Sequence, residues 1–342
     1  MIVRAGRIIG EGWHHRKGEA HAEAEALRAV AASGDDARGA TMYVTLEPHD
    51  HESTVPPCSR AVIAAGIARV VVGAIDPNER THGRGVARMR DAGVAVEVVD
   101  DARCGELIER FAFTIGSVLP FVTLKMAMSL DGCVAPARMT FPVSGPEAHR
   151  YVHELRADYD AVMVGAGTVR VDDPLLTVRP HRTRRKPYAR VVACETAAVP
   201  GASRVFAAPG DAPPGAYRRT IVLAPAGAAA AFAELRDVAE TVFVGAAGDR
   251  ELDLRAALVA LRDLGIASVL CEGGPTLAGR LIAAGLVERV IWIVAPRFLR
   301  GPDAVPVLAG ADLAAAANGW TFDRVERLGD DIMLTARLPH DV

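Results

Sequence analysis

Residues 21–58 read HAEAEALRAVAASGDDARGATMYVTLEPHDHESTVPPC. Ala, Leu and Glu dominate the start of this stretch and predict a helix over 21–33. TMYVTL at 41–46 is apolar and partly β-branched, the composition of a buried strand. A polar loop, EPHDHESTVPP, follows, and then a helix from Cys58 to Ala65 that Gly66 stops. Working outward, the alternation continues with strands over 2–10 and 68–74, a helix over 84–92 and a strand over 94–99. Strands alternating with helices imply a mostly parallel sheet with helices on its faces.

A helix over 101–118 bridges to Leu119-Pro120, where the chain is punctuated and a second α/β series begins. Its expected strands cover 121–128, 160–164, 189–194, 219–223, 241–244, 267–271, 288–295 and 332–337. Its expected helices cover 145–157, 253–264 and 276–284. Residues 179–188 form a basic loop, and 200–218, rich in Gly, Ala and Pro, a solvated connection. The organisation expected is two domains, 1–118 and 119–342, which suits a chain of 342 residues.

Half the residues are hydrophobic and 24% are charged, enough for two cores in a globular protein. The net charge of −3 offers no basic excess for a nucleic-acid partner. No apolar run is long enough to span a membrane, and the N-terminus lacks the pattern of a secretion signal. Five scattered cysteines, an odd number, argue against a disulfide framework and for a reducing cytoplasm.

His21-Ala22-Glu23 opens a helix, Glu47-Pro48-His49 follows a strand, and Pro56-Pro57-Cys58 opens the next helix. An isolated H-x-E is common and means little alone. With a second ligand loop at this distance, it suggests hydrolytic deamination. A metal held by three side chains leaves a position for water, and a nearby carboxylate that is not a ligand carries the proton. HAEAEAL, TMYVTLEP, TVPPC, GIARVVVGAIDPN and GRG together resemble the N-terminal half of the bifunctional riboflavin-biosynthesis deaminase/reductases. The resemblance implies a cytidine-deaminase-like three-layer α/β/α domain. It implies zinc ligands His21, His49 and Cys58, with Glu23 as the proton shuttle. His49 stands where the family has cysteine, with His51 a nearby spare. His14 and His15 read as solvent-facing. Thr54 stands where the family has a basic, substrate-contacting residue. The family's Asn-Pro-x-Val-Gly segment is missing, through either a degenerate domain or a misassigned start codon.

FVTLKMAMSLDG at 121–132, MVGAGTVRVDDPLLTVR at 163–179, VLCEGGPTLAGR at 269–280 and VAPRFLRG at 294–301 are each bland alone. In this order they resemble the reductase half of the same family, with its dihydrofolate-reductase-like α/β fold. Strand 267–271 runs through Glu272-Gly273-Gly274-Pro275 into a helix. Glycines and a helix N-terminus there suit a phosphate. The resemblance makes Gly274, Pro275, Thr276, Leu277, Ala278, Gly279 and Arg280 a pyrophosphate cradle for NADPH. It adds Ala127, Thr168 and Asp172 to the cofactor site. It gives Lys125, Thr140, Arg156, Leu176, Arg179 and Glu272 to the substrate, with Arg156 and Arg179 as phosphate candidates.

This half also departs from the family: residues 138–144 replace a Gly-x-Ser-x-Trp-Ile-Thr segment, with Pro142 where the Trp belongs. Glu195 replaces a cofactor-contacting serine, and a carboxylate close to the cofactor would repel a 2′-phosphate, a charge that the Arg-rich residues 182–185 could offset. The implied function is zinc-dependent deamination of a phosphoribosylated diaminopyrimidinone, then NADPH-dependent reduction of its ribosyl group to ribityl. The implied state is a cytoplasmic homo-oligomer, dimer or tetramer, with no nucleic-acid or membrane partner. Two alternatives stay open: a reductase carrying a degenerate deaminase domain as a structural module, and a paralogue acting on another phosphorylated heterocycle.

Overall fold

The computed structural model describes residues 1–16, 18–52, 55–135, 142–180, 186–194, 199–210, 212–246, 250–314 and 319–338. It divides into two compact units, Met1–Gly116 and Ser117–Asp341. The first unit runs β1 (Ile2–Arg4), β2 (Arg7–Gly10), α1 (Ala22–Ala32), β3 (Thr41–Val44), α2 (Cys58–Ala64), β4 (Arg69–Val72), α3 (Arg84–Asp91), β5 (Ala95–Val98) and α4 (Ala102–Gly116).

Its five strands pair in the order β2-β1-β3-β4-β5. Residues 2–10 are a hairpin and not the single expected strand. Ala5 and Gly6 both take positive φ, 48° and 76°, and turn the chain back on itself. Two such residues in succession are what a tight hairpin turn requires. The sheet is therefore mixed: β3, β4 and β5 are parallel, while β1 runs antiparallel to both β2 and β3. Its core is aliphatic. Ile2, Met42, Val70 and Val72 from the strands meet Val30, Val62 and Met89 from the helices.

The second unit runs β6 (Phe121–Ser129), β7 (Cys133–Ala135), α5 (Pro146–Ala157), β8 (Ala161–Gly165), α6 (Ala166–Asp172), β9 (Ala189–Ala193), β10 (Thr220–Pro225), a 3-10 stretch (Ala226–Leu235), β11 (Ala239–Val244), α7 (Leu254–Asp263), β12 (Ser268–Cys271), α8 (Pro275–Ala283), β13 (Arg289–Ala295), β14 (Val305–Pro306), β15 (Thr321–Leu328) and β16 (Asp331–Arg337). Nine strands form one sheet, ordered β11-β10-β9-β8-β12-β6-β13-β16-β15. It is parallel from β11 to β13 and antiparallel across β13, β16 and β15. Parallel strands covered on both faces read as near-continuous apolar runs, and β8, β9, β10 and β12 are buried along almost their whole lengths.

Four elements of this unit escape the sequence reading, besides the 3-10 stretch. β7 and β14 are very short, and α6 is built from Gly and β-branched residues that favour no helix. β15, TFDRVERL, is an edge strand whose charged side chains mask its period.

Candidate active sites

His21 is the N-cap of α1, with an extended backbone (φ −76°, ψ 166°), and Glu23 follows in the first turn. Cys58 is the first residue of α2, and His49 sits in the loop between β3 and α2. One ligand atom from each of His21, His49 and Cys58 falls within 4.8 Å of the others. The His21 Nδ1 to Cys58 Sγ distance is 3.6 Å. Cys58, His49 and Glu23 are only 2%, 6% and 7% exposed, so water does not supply what the protein withholds.

Among the described residues neither ring nitrogen of His49 has a hydrogen bond. The Val55 backbone stands near enough to the ring to favour its protonation, against the larger effect of burial. A buried imidazole left in this state is costly unless a further partner completes it. A histidine–histidine–cysteine set around one point fits zinc, which takes three protein ligands and keeps a fourth position open.

The electrostatics agree. Burial, and then the imidazoles of His49, His14 and His51, hold His21 down at about 4, and burial lowers His49 too. Both rings are therefore neutral, the form that ligates. Burial, followed by the Glu23 carboxylate, pushes the Cys58 thiol up. A bound cation reverses that balance by stabilising the thiolate. Burial also raises Glu23 above the usual carboxylate range. His14 and His51 flank the cluster, with ring centres 5.0 Å from His21 and 5.2 Å from His49. His14 and His15 are exposed. His51 lies 3.5 Å from the Thr81 hydroxyl and outside the three-ligand group.

The second unit holds a cavity of about 640 Å³, within the usual range for small-molecule sites. Lys125, Ala127, Arg156, Thr168, Asp172, Glu272 and residues 274–277 all line it. Glu272 leaves the end of β12, where its amide bonds the Met163 carbonyl of β8. The Gly273–Gly274 peptide is cis, and Gly273 takes φ 86°. That φ strains any L side chain, and a Cβ there would also sit 2.6 Å from the Met126 sulfur. Gly274 is the N-cap of α8, and the first intrahelical bond runs from Ala278 N–H to its carbonyl. Thr276 and Leu277 precede that bond and line the cavity, in the first turn of the helix, where free amides can hold an anion. A Cβ on Gly274 would close to 3.0 Å of the Thr168 hydroxyl. The bare backbone thus leaves a cradle suited to the phosphates of NADPH.

The expected cradle extends too far. Ala278 is fully buried, Gly279 packs so tightly on the Ala309 carbonyl that a Cβ would lie 2.2 Å from it, and Arg280 donates to the Leu252 carbonyl at 3.0 Å. None of the three lines the cavity, because the free amides end one turn earlier.

Arg156 is also placed differently from a free phosphate clamp. Its Nε and Nη2 donate to the two Glu272 oxygens at 2.5 and 2.8 Å, and Nη1 donates to the Thr177 carbonyl at 2.9 Å. Burial works against charge on Glu272, but Arg156 and Lys125 hold it below the usual carboxylate range. Lys125, 9% exposed, is lowered by burial, against the pull of Glu272.

Arg179 is exposed, off the cavity wall, and donates to His153 Nε2 at 3.2 Å. Burial, then Arg156 and Arg179, hold His153 near 4, so its neutral ring accepts that bond. Leu176 is buried in the apolar core at φ 50° and does not reach the cavity. Thr140 lies outside the described residues, as do Thr54, residues 138–141 and 182–185, and Glu195.

His149 and His153 also line the cavity, and the sequence reading does not include them. Their signal was present: His149, Val152, His153 and Arg156 follow an i, i+3, i+4, i+7 spacing along α5 and share one face.

Comparison with known proteins gives two family matches. Residues 120–334 match the RibD C-terminal domain, and residues 1–74 match the cytidine and deoxycytidylate deaminase zinc-binding region. The Escherichia coli K12 riboflavin biosynthesis protein RibD is 36% identical, over 98% of this chain and 91% of that protein. The Aquifex aeolicus RibD is 33% identical, over 98% and 90%.

Among solved structures, a Thermotoga maritima diaminohydroxyphosphoribosylaminopyrimidine deaminase/5-amino-6-(5-phosphoribosylamino)uracil reductase superposes with TM-score 0.80. It is 30% identical, with 99% of this chain and 90% of that one covered. Acinetobacter baumannii RibD gives 0.77 at 31% identity, over 99% and 91%. With a cytidine-deaminase-like zinc-binding domain followed by a dihydrofolate-reductase-like domain that takes NADPH, the chain belongs to the RibD family, the bifunctional deaminase/reductases of riboflavin biosynthesis.

Proposed function

We propose that residues 1–118 remove the exocyclic amine of a phosphoribosylated diaminopyrimidinone and that residues 119–342 then reduce its ribosyl group to ribityl. The observation that carries the first half is the convergence of His21, His49 and Cys58 within 4.8 Å, beside the buried Glu23. These three side chains would hold the zinc, which when bound supplies Lewis-acid activation of a water. Glu23 takes the proton from the attacking water and returns it to the departing amine. Its raised pKa favours the protonated state needed for the second transfer.

In the second half NADPH supplies the hydride. The amides at 276–277, with Thr168, Asp172 and Ala127, seat the cofactor. Lys125 and Glu272 face the sugar of the substrate, and Arg156 holds Glu272 in place. Arg179 meets the substrate phosphate. No side chain need act as a nucleophile here, so orientation carries the rate.

The chain works as a cytoplasmic homo-oligomer without nucleic-acid or membrane partners. No described helix is long and apolar enough to cross a membrane. The test is product analysis with the phosphorylated pyrimidine substrate. Without NADPH only the deaminated ribosyl compound should accumulate, and with NADPH the ribityl product should follow. Reduction of the aminated substrate with no deamination at any stage would restrict the chain to a reductase.

A further inference from the structure

Two of the three metal-binding side chains are carried by helices: His21 caps α1 and Cys58 opens α2. His49 is the exception, on a loop, and something must fix that loop before His49 can meet the other two. We propose that Glu47 is the positioning residue that does so. The inference rests on His49 being a ligand.

Glu47 is 3% exposed. Its Oε1 accepts from the Val86 amide at 3.0 Å, and its Oε2 from the Gly83 amide at 2.9 Å and the Asp76 amide at 3.3 Å. Gly83 is the N-cap of α3, so the carboxylate sits where that helix presents free amides and a partial positive charge. The next residue is pinned as well: a Cβ on Gly85 would fall 1.7 Å from the Pro48 carbonyl oxygen. Beyond His49 the loop is tied again, its carbonyl accepting the Ser59 amide at 3.1 Å and Asp50 accepting the Ser59 hydroxyl at 2.5 Å.

His49 is therefore suspended between two helix N-termini. Ser59 neighbours Cys58 and sets the distance to the thiol. Glu47 sets the other end, joining the ligand loop to α3, which contributes no ligand itself. A ring with no hydrogen bond of its own depends on such backbone anchors for its orientation. Removing a group that orients a ligand typically weakens metal affinity by about 10- to 100-fold.

The experiment uses the full chain loaded with Co²⁺ in place of zinc. Glu47→Gln puts an NH₂ where an amide hydrogen now points, so part of the anchor is lost. Metal affinity by chelator competition should fall about 10- to 100-fold. The cobalt d–d bands should shift while the Cys58 thiolate charge-transfer band persists. Reductase turnover of the same sample should be unchanged. Glu47→Asp, which keeps the charge on a shorter arm, should recover part of the affinity and lie between the two spectra.

A Glu47→Gln protein with wild-type cobalt spectrum and affinity overturns the proposal. Should that variant not fold, Glu47→Asp decides, and spectrum and affinity equal to wild type overturn it equally. His49→Ala separates this from the ligand assignment. If His49→Ala keeps full metal affinity, the assignment fails. If it loses the metal while both Glu47 variants match wild type, only the positioning role fails.

Discussion

At the metal cluster, His49 has both ring nitrogens buried without a hydrogen bond, and three ligand atoms crowd one point. In the reductase cavity the opposite holds: Arg156 is bonded to both Glu272 oxygens and to the Thr177 carbonyl. The first arrangement is incomplete until a cation arrives. The second is held together beforehand by its own ion pair, and a ligand meets Glu272 already in place beside Lys125 and the α8 amides. Emptying the first site should therefore be a severe event, whereas trimming the rim of the second should tune affinity.

The largest effect is expected at Cys58. Cys58→Ala should abolish zinc binding, measured as metal per chain after dialysis, because two neutral imidazoles alone hold zinc poorly. Glu23→Gln should keep the metal and lose deamination, since it removes the shuttle and no ligand. A Cys58→Ala protein that retains a full zinc would erase the contrast between the sites.

Next comes the cavity floor. Arg156→Met leaves a buried carboxylate with Lys125 alone, and should lower the stability of the second unit by about 3 kcal/mol. The readout is urea unfolding followed through Trp292 and Trp320 in a Trp13→Phe background. Arg156→Met combined with Glu272→Met should recover most of the loss, because a missing pair costs less than a broken one. Equal destabilisation by the single and the double variant would mean that the pair is not a unit.

A smaller change is expected at the rim. Arg179→Ala should raise KM for the phosphorylated substrate by about 10- to 100-fold, from loss of a charge-assisted contact. NADPH affinity should stay as it was. Arg179→Lys should restore only part, since a point charge does not reproduce the guanidinium fork. Equal weakening of both ligands would move Arg179 from the substrate to the cofactor or the fold.

The smallest effect is a slope. His153 is held near 4 by burial and by Arg156 and Arg179, against 6.5 when unfolded. The unfolded chain thus binds the extra proton first, and this contribution to stability is present above pH 6.5 and lost as pH falls towards 4. His153→Gln should flatten the melting temperature of the second unit across that window, relative to wild type. An unchanged slope would show that His153 titrates equally in both states.

Much of this was legible in the residues. H-x-E at a helix start and Pro-Cys at the next suggest ligands on two helix ends, while His49 enters the set only through what the family resemblance implies. What the pattern did not carry was the work of neighbours. Glu47 looked like part of a motif, but its carboxylate is spent on backbone amides 29 to 39 residues later in the chain.

Arg156 read as a phosphate ligand because its partner, Glu272, lies 116 residues away. A cradle running through Arg280 follows from the resemblance, because sequence does not mark where helical amides stop being free. In the fold, Ala5-Gly6 concealed a hairpin inside an apolar run. β15 concealed a strand behind charges that protect a sheet edge.

The position of β12 has a consequence for synthesis. This strand is inserted between β8 and β6, so residues 268–271 separate strands that lie at 161–165 and 121–129. The centre of the larger sheet cannot close until about 150 residues after its first strand have emerged from the ribosome, whereas the smaller sheet's strands all lie between residues 2 and 98. Long-range parallel pairing is slow and leaves apolar edges open while it waits. The nascent chain therefore carries a finished ligand set at its front and, behind it, the unpaired flanks of β6 and β8, which stay open until β12 has been made.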